Sequence, residues 1–417
     1  MKIAVVGAGI SGLVAAHLLH EGNELTVFEA SERPGGHTRT SEVPHAGRTL
    51  RIDTGFIVFN ERHYPHFTRL LARLGVESQP TSMSFSVRCD RTGIEWNGSS
   101  LGGVFAQRRN IVSPRLWRML RDIVRFSREA ARILDAPDER VTVAEHLAAL
   151  GYSDEFAELY LVPLGASLWS CPPARFRHFP IAFVVEFLAN HSMLGIRGRP
   201  EWRVVRGGSS TYVERLIRPF RDRIRLACQV RSVSRGEEGV RITAGRSGEA
   251  ATEAFDHAIM ACHADQALGL LADPSPVERE ILGAFPYQAN EATLHTDDSV
   301  LPRARRAWAS WNYHRRAQDP DRVAVTYDMN ILQELEADAT FCVTLNEGGR
   351  IAPEKIVERV AYEHPLYLAG RAAAQRRLPE LIGHRRTSYC GAYWGYGFHE
   401  DGVRSALAVA APFGRSL

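Results

Sequence analysis

The first thirty residues alternate between short apolar runs and one helical stretch. Lys2–Val6 is an apolar run after its lysine, which predicts a buried parallel strand. Leu13–Glu21 predicts a helix, and Leu25–Phe28 predicts a second strand that ends at Glu29. Strand, helix and strand in this order predict a βαβ unit and therefore an α/β fold.

A glycine-rich loop joins the first strand to the helix. Gly7, Gly9 and Gly12 have the GxGxxG spacing of dinucleotide-binding loops. Gly7 permits the tight turn, Gly9 lets a pyrophosphate approach the backbone, and Gly12 allows close packing of helix on strand. Glu29 follows Gly9 by about twenty residues, where an acidic side chain accepts hydrogen bonds from ribose hydroxyls. The loop predicts a dinucleotide site.

A second glycine pair, Gly35–Gly36, follows Arg33 shortly after the second strand. A simple NAD domain needs no second close backbone approach, whereas an extended FAD does. Here the sequence resembles the FAD-dependent amine oxidase, phytoene desaturase and protoporphyrinogen oxidase superfamily. In that group an Arg-x-Gly-Gly-Arg stretch lies near the flavin phosphates and isoalloxazine. His37 stands where the family usually has the second arginine.

Four later segments extend the resemblance. Arg51–Phe56 resembles the Asp-x-Gly strand beside the flavin, and Trp202–Tyr212 resembles the central Gly-Gly segment. Ile224–Val230 predicts a strand, in which Val230 matches the valine whose backbone usually meets the adenine. Phe255–Cys262 matches the strand that returns beneath the dinucleotide, although an ordinary buried strand would have the same pattern.

The carboxyl-terminal residues Tyr389–Leu407 resemble the closing flavin motif of the family, a strand, a glycine loop and a helix. We expect this helix to begin near Asp401–Gly402, with Asp401 as its N-cap, and to run to about Ala411. Its free N–H groups could stabilise negative charge on the reduced flavin. Ala392 stands where the family usually has an acidic residue.

The resemblance implies a set of FAD-contacting residues in these segments. They are Gly7, Gly9, Ile10, Ser11, Gly12, Glu29, Ala30, Arg33, Gly35, Gly36, His37, Thr38, Gly55, Phe56, Val230, Gly391, Asp401, Gly402 and Val403. His37 and His399 are candidates for flavin tuning or proton transfer, because histidine titrates near neutral pH. Tyr393 and Trp394 are candidate aromatic walls of the active site. No metal-ligand pattern is present in the sequence.

The segments predict a discontinuous, Rossmann-like FAD-binding domain of residues 1–75, 200–270 and 376–417. Residues 76–199, mainly helical, and 271–375 are expected to form a mixed α+β substrate domain between them. Further runs, including Trp308–Tyr313 and Tyr327–Asn330, resemble bacterial predicted NAD/FAD-binding proteins associated with cyclopropane fatty-acyl synthase-like enzymes. That resemblance implies oxidation in modified fatty-acyl metabolism.

Composition narrows the classes of partner. The formal net charge of +3 is too small to indicate nucleic-acid binding. The six cysteines form no CxxC pair, which favours reduced thiols. No apolar run reaches the roughly 18 residues of a membrane span, and no signal peptide is recognised. We therefore expect a cytoplasmic protein, with contact to the inner face of the membrane as a further expectation.

The predicted helix Pro114–Leu134 carries one arginine stripe, formed by Arg118, Arg121, Arg125, Arg128 and Arg132. The stripe is either an ordinary solvated face or a surface for anionic phospholipid headgroups. A lipid-modifying enzyme is the other partner that the resemblance suggests.

Lysine is almost absent from the chain: Lys2 begins the first strand, and Lys355 lies outside every flavin motif. Amine-oxidising members of the superfamily usually hold a lysine near flavin N5, so its absence favours desaturation of a carbon chain by hydride transfer to N5. Three functions remain open. They are an FAD-dependent desaturase or dehydrogenase of fatty-acyl or other apolar substrates, an amine oxidase producing imine and hydrogen peroxide, and a non-catalytic flavoprotein partner of a lipid enzyme.

Overall fold

A parallel sheet of five strands is built from three distant parts of the chain. The computed structural model describes residues 1–195, 198, 200–246, 249–318, 324–347 and 349–417. Across the sheet the strands are Ile224–Arg225, Glu24–Phe28, Lys2–Val6, His257–Met260 and Thr387–Tyr389. All neighbouring pairs are parallel. The predicted α/β fold is therefore confirmed.

The first helix, Ile10–Leu19, begins earlier than the predicted Leu13 because Gly9 is its extended N-cap. The predicted strand Ile224–Val230 is wrong as a single element. Ala227 adopts a left-handed φ of 50°, which separates the strand Ile224–Arg225 from Gln229–Gly236. The latter begins an antiparallel meander that continues with Gly239–Gly245 and Ala251–Phe255.

A second large sheet has seven strands and draws on residues 85–97 and 287–365. Across the sheet they are Ile356–Pro365, Tyr287–His295, Cys342–Leu345, Val325–Asp328, Trp311–Arg315, Phe85–Cys89 and Glu95–Asn97. Two small sheets are also present, one of Thr40–His45 with Arg48–Asp53 and one of Val58–Phe59 with Trp202–Val205 and Ser78–Thr81. The predicted domain boundaries stay a prediction.

Helices cover one end of the second sheet and flank the first. Between residues 101 and 190 they are Leu101–Val104, Pro114–Asp135, Val143–Ala149, Asp154–Phe156, a π-turn at Ala157–Leu161, Val162–Leu168, Pro173–Phe176 and Ile181–Asn190. The others are Pro65–Leu74, Ser210–Ile217, Ala264–Leu270, Pro276–Leu282, Met329–Gln333, Arg371–Arg376, Leu378–Leu381 and His399–Ala410. Among the described residues, none of the helices combines the length and the apolar character needed to cross a bilayer.

Candidate cofactor and substrate site

One cavity of about 1560 Å³ lies between the two large sheets. Pockets for a single small molecule usually hold about 300–1,000 Å³, so this cavity has room for a cofactor and a substrate. The predicted residues that line it are Gly7, Gly9, Ile10, Ser11, Glu29, Ala30, Arg33, Gly35, Gly36, His37, Gly55, Phe56, Val230, Gly391, Tyr393 and His399.

The cavity meets the parallel sheet at the carboxyl ends of its strands. Gly7 follows the strand Lys2–Val6, and Glu29 follows Glu24–Phe28. Ala261 follows His257–Met260, and Gly391 lies just after Thr387–Tyr389. Open α/β sheets bind their ligands at this edge. The topology therefore brings together glycine loops that are hundreds of residues apart in sequence.

The three glycines of the first loop differ in their surroundings. Gly7 has a φ of 107°, a conformation that side chains disfavour. A Cβ on Gly12 would lie 2.0 Å from the Gly7 carbonyl oxygen, so the helix packs directly on the loop. A Cβ on Gly9 would meet no atom within 4 Å, because this residue opens into the cavity. This is the arrangement that a pyrophosphate requires.

The two glycine loops form one continuous backbone surface. The Gly35 N–H donates to the Ala8 carbonyl at 2.8 Å, and a Cβ on Gly36 would lie 3.0 Å from Gly9 Cα. Arg33 donates to the Thr38 carbonyl at 3.1 Å and thereby braces its own loop. Arg33 also lines the cavity, so a positive side chain stands at this part of the wall.

The Glu29 carboxylate is held at the edge of this surface. It accepts from the Ala8 N–H at 2.8 Å and from the Ser31 N–H at 2.9 Å. A carboxylate has about four acceptor positions, so it can also accept hydrogen bonds from ribose hydroxyls.

Gly55 passes so close to the second loop that only glycine fits, since its Cβ would lie 1.9 Å from the His37 carbonyl oxygen.

Buried Asp53, close to Gly55 in the chain, accepts hydrogen bonds from Thr40 Oγ1 at 2.6 Å and from the Ser209 N–H and hydroxyl, each at 2.8 Å. Burial raises the pKa of Asp53 to about 6. These bonds join the central Gly-Gly segment to the amino-terminal segment.

His399 belongs to a buried polar cluster that the sequence did not show. Its Nε2 lies 3.0 Å from Thr38 Oγ1 and 3.0 Å from the Tyr212 hydroxyl. Thr38 Oγ1 and the Tyr212 hydroxyl are themselves 2.5 Å apart. Because the ring is buried, the pKa of His399 falls to about 3. The histidine is therefore neutral at neutral pH.

His37 lies in a second cluster, with its ring stacked on Tyr362 at 4.9 Å. Rings of His364 and His263 follow at 5.3 and 6.0 Å. Burial, and then the neighbouring histidines, hold the pKa of His37 well below its usual value. Its Nε2 lies 3.1 Å from the Glu363 carbonyl oxygen, which can only accept, so Nδ1 of the neutral ring carries no proton.

Several predicted residues do not reach the cavity. Thr38 and Gly12 lie behind its wall, and Gly402 and Val403 are buried in the closing helix. A Cβ on Gly402 would lie 2.8 Å from Ile10 Cγ2, which makes it a close helix–helix contact. Asp401 was also expected to contact the cofactor, but it too lies outside the lining.

The expected start of the closing helix near Asp401–Gly402 is wrong, because the helix begins at His399. The N-cap is Phe398 instead of Asp401, because the Asp401 carboxylate reaches back to the Tyr396 and Phe398 N–H groups at 2.9 and 3.1 Å. The Trp394 ring packs against Phe285 at 5.3 Å and lies outside the lining of the cavity, and its catalytic role stays a prediction.

The rest of the cavity wall is largely apolar. We call this part the apolar compartment; its residues are Met83, Phe85, Trp96, Val104, Leu120, Ile123, Tyr160, Leu164 and Leu168. Within the described part of the chain, the carboxylates on the cavity wall are Glu29, Glu201 and Glu363, and none of them belongs to this compartment. The described wall includes no lysine.

These features fit FAD, the cofactor expected from the sequence. An open Gly9, the Glu29 carboxylate and the Arg33 guanidinium match a dinucleotide, and the volume leaves space for an isoalloxazine ring. The assignment of individual contacts to FAD remains a proposal.

Residues 10–299 match the family model of flavin-containing amine oxidoreductases. A flavin-dependent L-tryptophan oxidase of Lentzea aerocolonigenes is 38% identical over 76 residues, which are 18% of this chain and 16% of that protein. The cyclohexylamine oxidase of Brevibacterium oxydans aligns with a TM-score of 0.71 and 17% identity over 99% of each chain. A CLA-producing fatty acid isomerase from P. acnes aligns with a TM-score of 0.66 and 15% identity, over 99% of this chain and 98% of that one. These structural likenesses show the fold, and the family match covers more than half of the sequence; the chain belongs to the FAD-dependent flavin-containing amine oxidoreductase family.

Proposed function

We propose that this protein is an FAD-dependent oxidoreductase that dehydrogenates a carbon chain of an apolar substrate, with fatty-acyl lipid as the substrate class. The observation that carries the proposal is the apolar compartment, which continues the cavity at the two glycine loops and has no carboxylate or lysine among its described residues. An alkyl chain gains free energy by leaving water for such a wall, at about 25 cal/mol per Å² buried. An ammonium group entering it would lose its hydration without a counter-ion.

In this proposal the glycine loops, Glu29 and Arg33 hold the cofactor. When bound, FAD supplies the acceptor for a hydride. The walls around it exclude water, and the apolar compartment fixes the position of the chain that is oxidised. Loss of hydride leaves a cation on the substrate, which must release a proton to form a double bond. The unprotonated Nδ1 of His37 is the acceptor that we assign to that proton.

Amine oxidation is the second candidate, since the matched tryptophan oxidase and cyclohexylamine oxidase act on amino groups by name. The fatty acid isomerase with the same fold acts on a lipid by name, so the fold accommodates both substrate classes. Among the described residues, the absence of lysine from the cavity wall and of carboxylates from the apolar compartment favours the lipid for this chain.

Anaerobic titration of the flavin-loaded protein tests the proposal. We expect detergent-dispersed phospholipid with modified acyl chains to bleach the flavin absorbance, and product analysis to show a new double bond. Bleaching by amines alone would overturn the lipid assignment. A flavin that neither panel reduces would instead support the non-catalytic flavoprotein.

A further inference from the structure

Exposed apolar side chains are concentrated in residues 99–134. Within the described residues nine large apolar side chains are exposed, and six of them lie in this segment. They are Leu101, Ile111, Val112, Trp117, Val124 and Leu134. A cluster of this kind on a protein surface marks an interaction site.

The same segment is strongly basic. It contains eight arginines against Asp122 and Glu129, a net charge of +6, whereas the whole chain has +3. Both acids are directed toward the protein. Asp122 accepts from the Ser153 hydroxyl at 2.5 Å, and Glu129 accepts from the Tyr152 hydroxyl at 2.6 Å. The outward charge of the segment is therefore positive, on a molecule whose remaining residues sum to −3.

One face of the helix Pro114–Asp135 combines both properties. Trp117, Arg121, Val124 and Arg128 have spacings of 4, 3 and 4, so they lie in one row. Trp117 is 52% exposed, the Arg121 side chain 73% and Val124 47%. Such a row places apolar groups at the level of lipid chains and guanidinium groups at the level of phosphates.

The arginine stripe expected from the sequence is therefore divided. Arg118 donates to the Glu155 carboxylate at 2.6 Å. Arg125 donates to the Leu150 carbonyl at 2.6 Å and stacks over the Tyr152 ring at 4.4 Å. These two arginines brace the helix against the protein, whereas Arg121 and Arg128 lie on the outer row and Arg132 is exposed beside it.

The preceding turn is fixed to the same face. The Trp117 indole N–H donates to the Ile111 carbonyl at 2.8 Å, and the ring packs against Phe105 at 5.7 Å. Ile111 and Val112 thus stand beside Trp117 as one ordered apolar patch, with Val112 81% exposed.

The inner side of this segment is the wall of the apolar compartment. Val104 lines the cavity three residues after the exposed Leu101, and Leu120 and Ile123 line it from the helix that carries Trp117 outside. A lipid surface on the outer side would therefore be separated from the compartment by this segment alone.

We propose that residues 99–134 dock on an anionic phospholipid bilayer, and that an acyl chain passes beside this segment into the apolar compartment. The passage of the chain rests on the proposed function. The docking itself rests on exposed apolar groups and charge complementarity, and it does not require turnover.

Vesicle cosedimentation of the flavin-loaded protein tests docking without any substrate reaction. We expect vesicles of phosphatidylglycerol and phosphatidylcholine to bind the protein at least tenfold more tightly than vesicles of phosphatidylcholine alone. The double variants Val112→Glu with Trp117→Glu, and Arg121→Glu with Arg128→Glu, should each weaken that binding at least tenfold. Val357→Glu and Arg241→Glu change exposed residues of the same types elsewhere, so these controls should bind as the unaltered protein does.

Trp117 also reports insertion directly. The difference between the emission of the unaltered protein and that of Trp117→Phe is the signal of Trp117. This signal should shift to shorter wavelength when anionic vesicles are added. Flavin-loaded protein that ignores anionic vesicles, or double variants that bind as well as the controls, would overturn docking and would leave an acidic protein as the occupant of this face. Flavin bleaching by detergent-dispersed lipid is independent of docking, so the two proposals can fail separately.

Discussion

The imidazole of His399 lies parallel to the ring of Phe56, with 3.5 Å between the ring centroids. The same imidazole contacts Thr38 and Tyr212 through Nε2. One neutral histidine therefore joins the closing segment to three other segments around the cavity. A charged ring would have to be buried in this position with no carboxylate partner among the described residues, and burial is why its pKa falls to about 3.

This burial predicts a pH dependence of stability. The unfolded chain protonates this histidine below about pH 6.5, whereas the folded chain does so only near pH 3. The stability that neutral His399 contributes is therefore complete above pH 6.5 and is lost as the pH falls toward 3. Between these values the free energy of unfolding should fall by about 1.4 kcal/mol for each pH unit of acidification, for one proton.

We expect His399→Gln to be less stable than the unaltered protein at pH 7.5 and to lose less stability on acidification. Urea unfolding at pH 7.5, 6 and 5 measures both effects. His178→Gln, at an exposed position, provides the control. Parallel stability curves for His399→Gln and the unaltered protein would contradict a neutral, buried His399.

Gly9 and Gly12 give a matched pair of substitutions in one loop. Gly9→Ala places a methyl group in open cavity space, so the protein should fold normally and retain less FAD. Gly12→Ala forces a Cβ against the Gly7 carbonyl, so it should lower the free energy of unfolding by about 1–3 kcal/mol or more. The ratio of flavin absorbance to protein, together with the unfolding midpoint, separates the two effects. A fully flavin-loaded Gly9→Ala would contradict the phosphate assignment.

Glu29→Gln tests the ribose assignment. The substitution removes a charge but retains a hydrogen-bond acceptor for the Ala8 N–H. Charge-assisted hydrogen bonds contribute about 1.5–3 kcal/mol, so the Kd for FAD should rise about tenfold to a hundredfold. Fluorescence titration of the apoprotein measures this change. Glu32→Gln alters an exposed neighbour and should leave the Kd unchanged; equal effects of both variants would contradict a specific role for Glu29.

Local sequence signals predicted the backbone geometry of the first glycine loop. The turn at Gly7, the open Gly9 and the packed Gly12 each follow from a backbone requirement that one residue type satisfies. Motif spacing carries this information because strand, loop and helix are consecutive in the chain. His263 follows the parallel strand His257–Met260. It could have been predicted as a residue of the cavity wall, because the carboxyl ends of parallel strands share one edge of the sheet.

Long-range contacts explain what the sequence did not show. His364 reaches His37 from a strand of the other sheet, and Tyr212 reaches His399 from another segment; neither belongs to a recognisable spacing. Asp401 was misplaced because its carboxylate bonds backward into a loop whose path the sequence does not specify. Such contacts depend on the register of distant elements, which a local pattern does not encode.

The depth of the apolar compartment should set the length of chain that the enzyme accepts. Ile123 lines the compartment and is only half-buried, so Ile123→Phe adds volume inside it with little strain. We expect the KM for long, detergent-dispersed acyl chains to rise about tenfold, because a lost buried methylene group costs about 0.8 kcal/mol and two would be excluded. The KM for short chains and the flavin content should be unaffected. The control Leu134→Phe, at an exposed position near the end of the same helix, should change neither the KM for long chains nor the flavin content. Equal KM changes for short and long chains would mean that the substrate does not extend along this helix, and the apolar compartment would then have to serve another ligand.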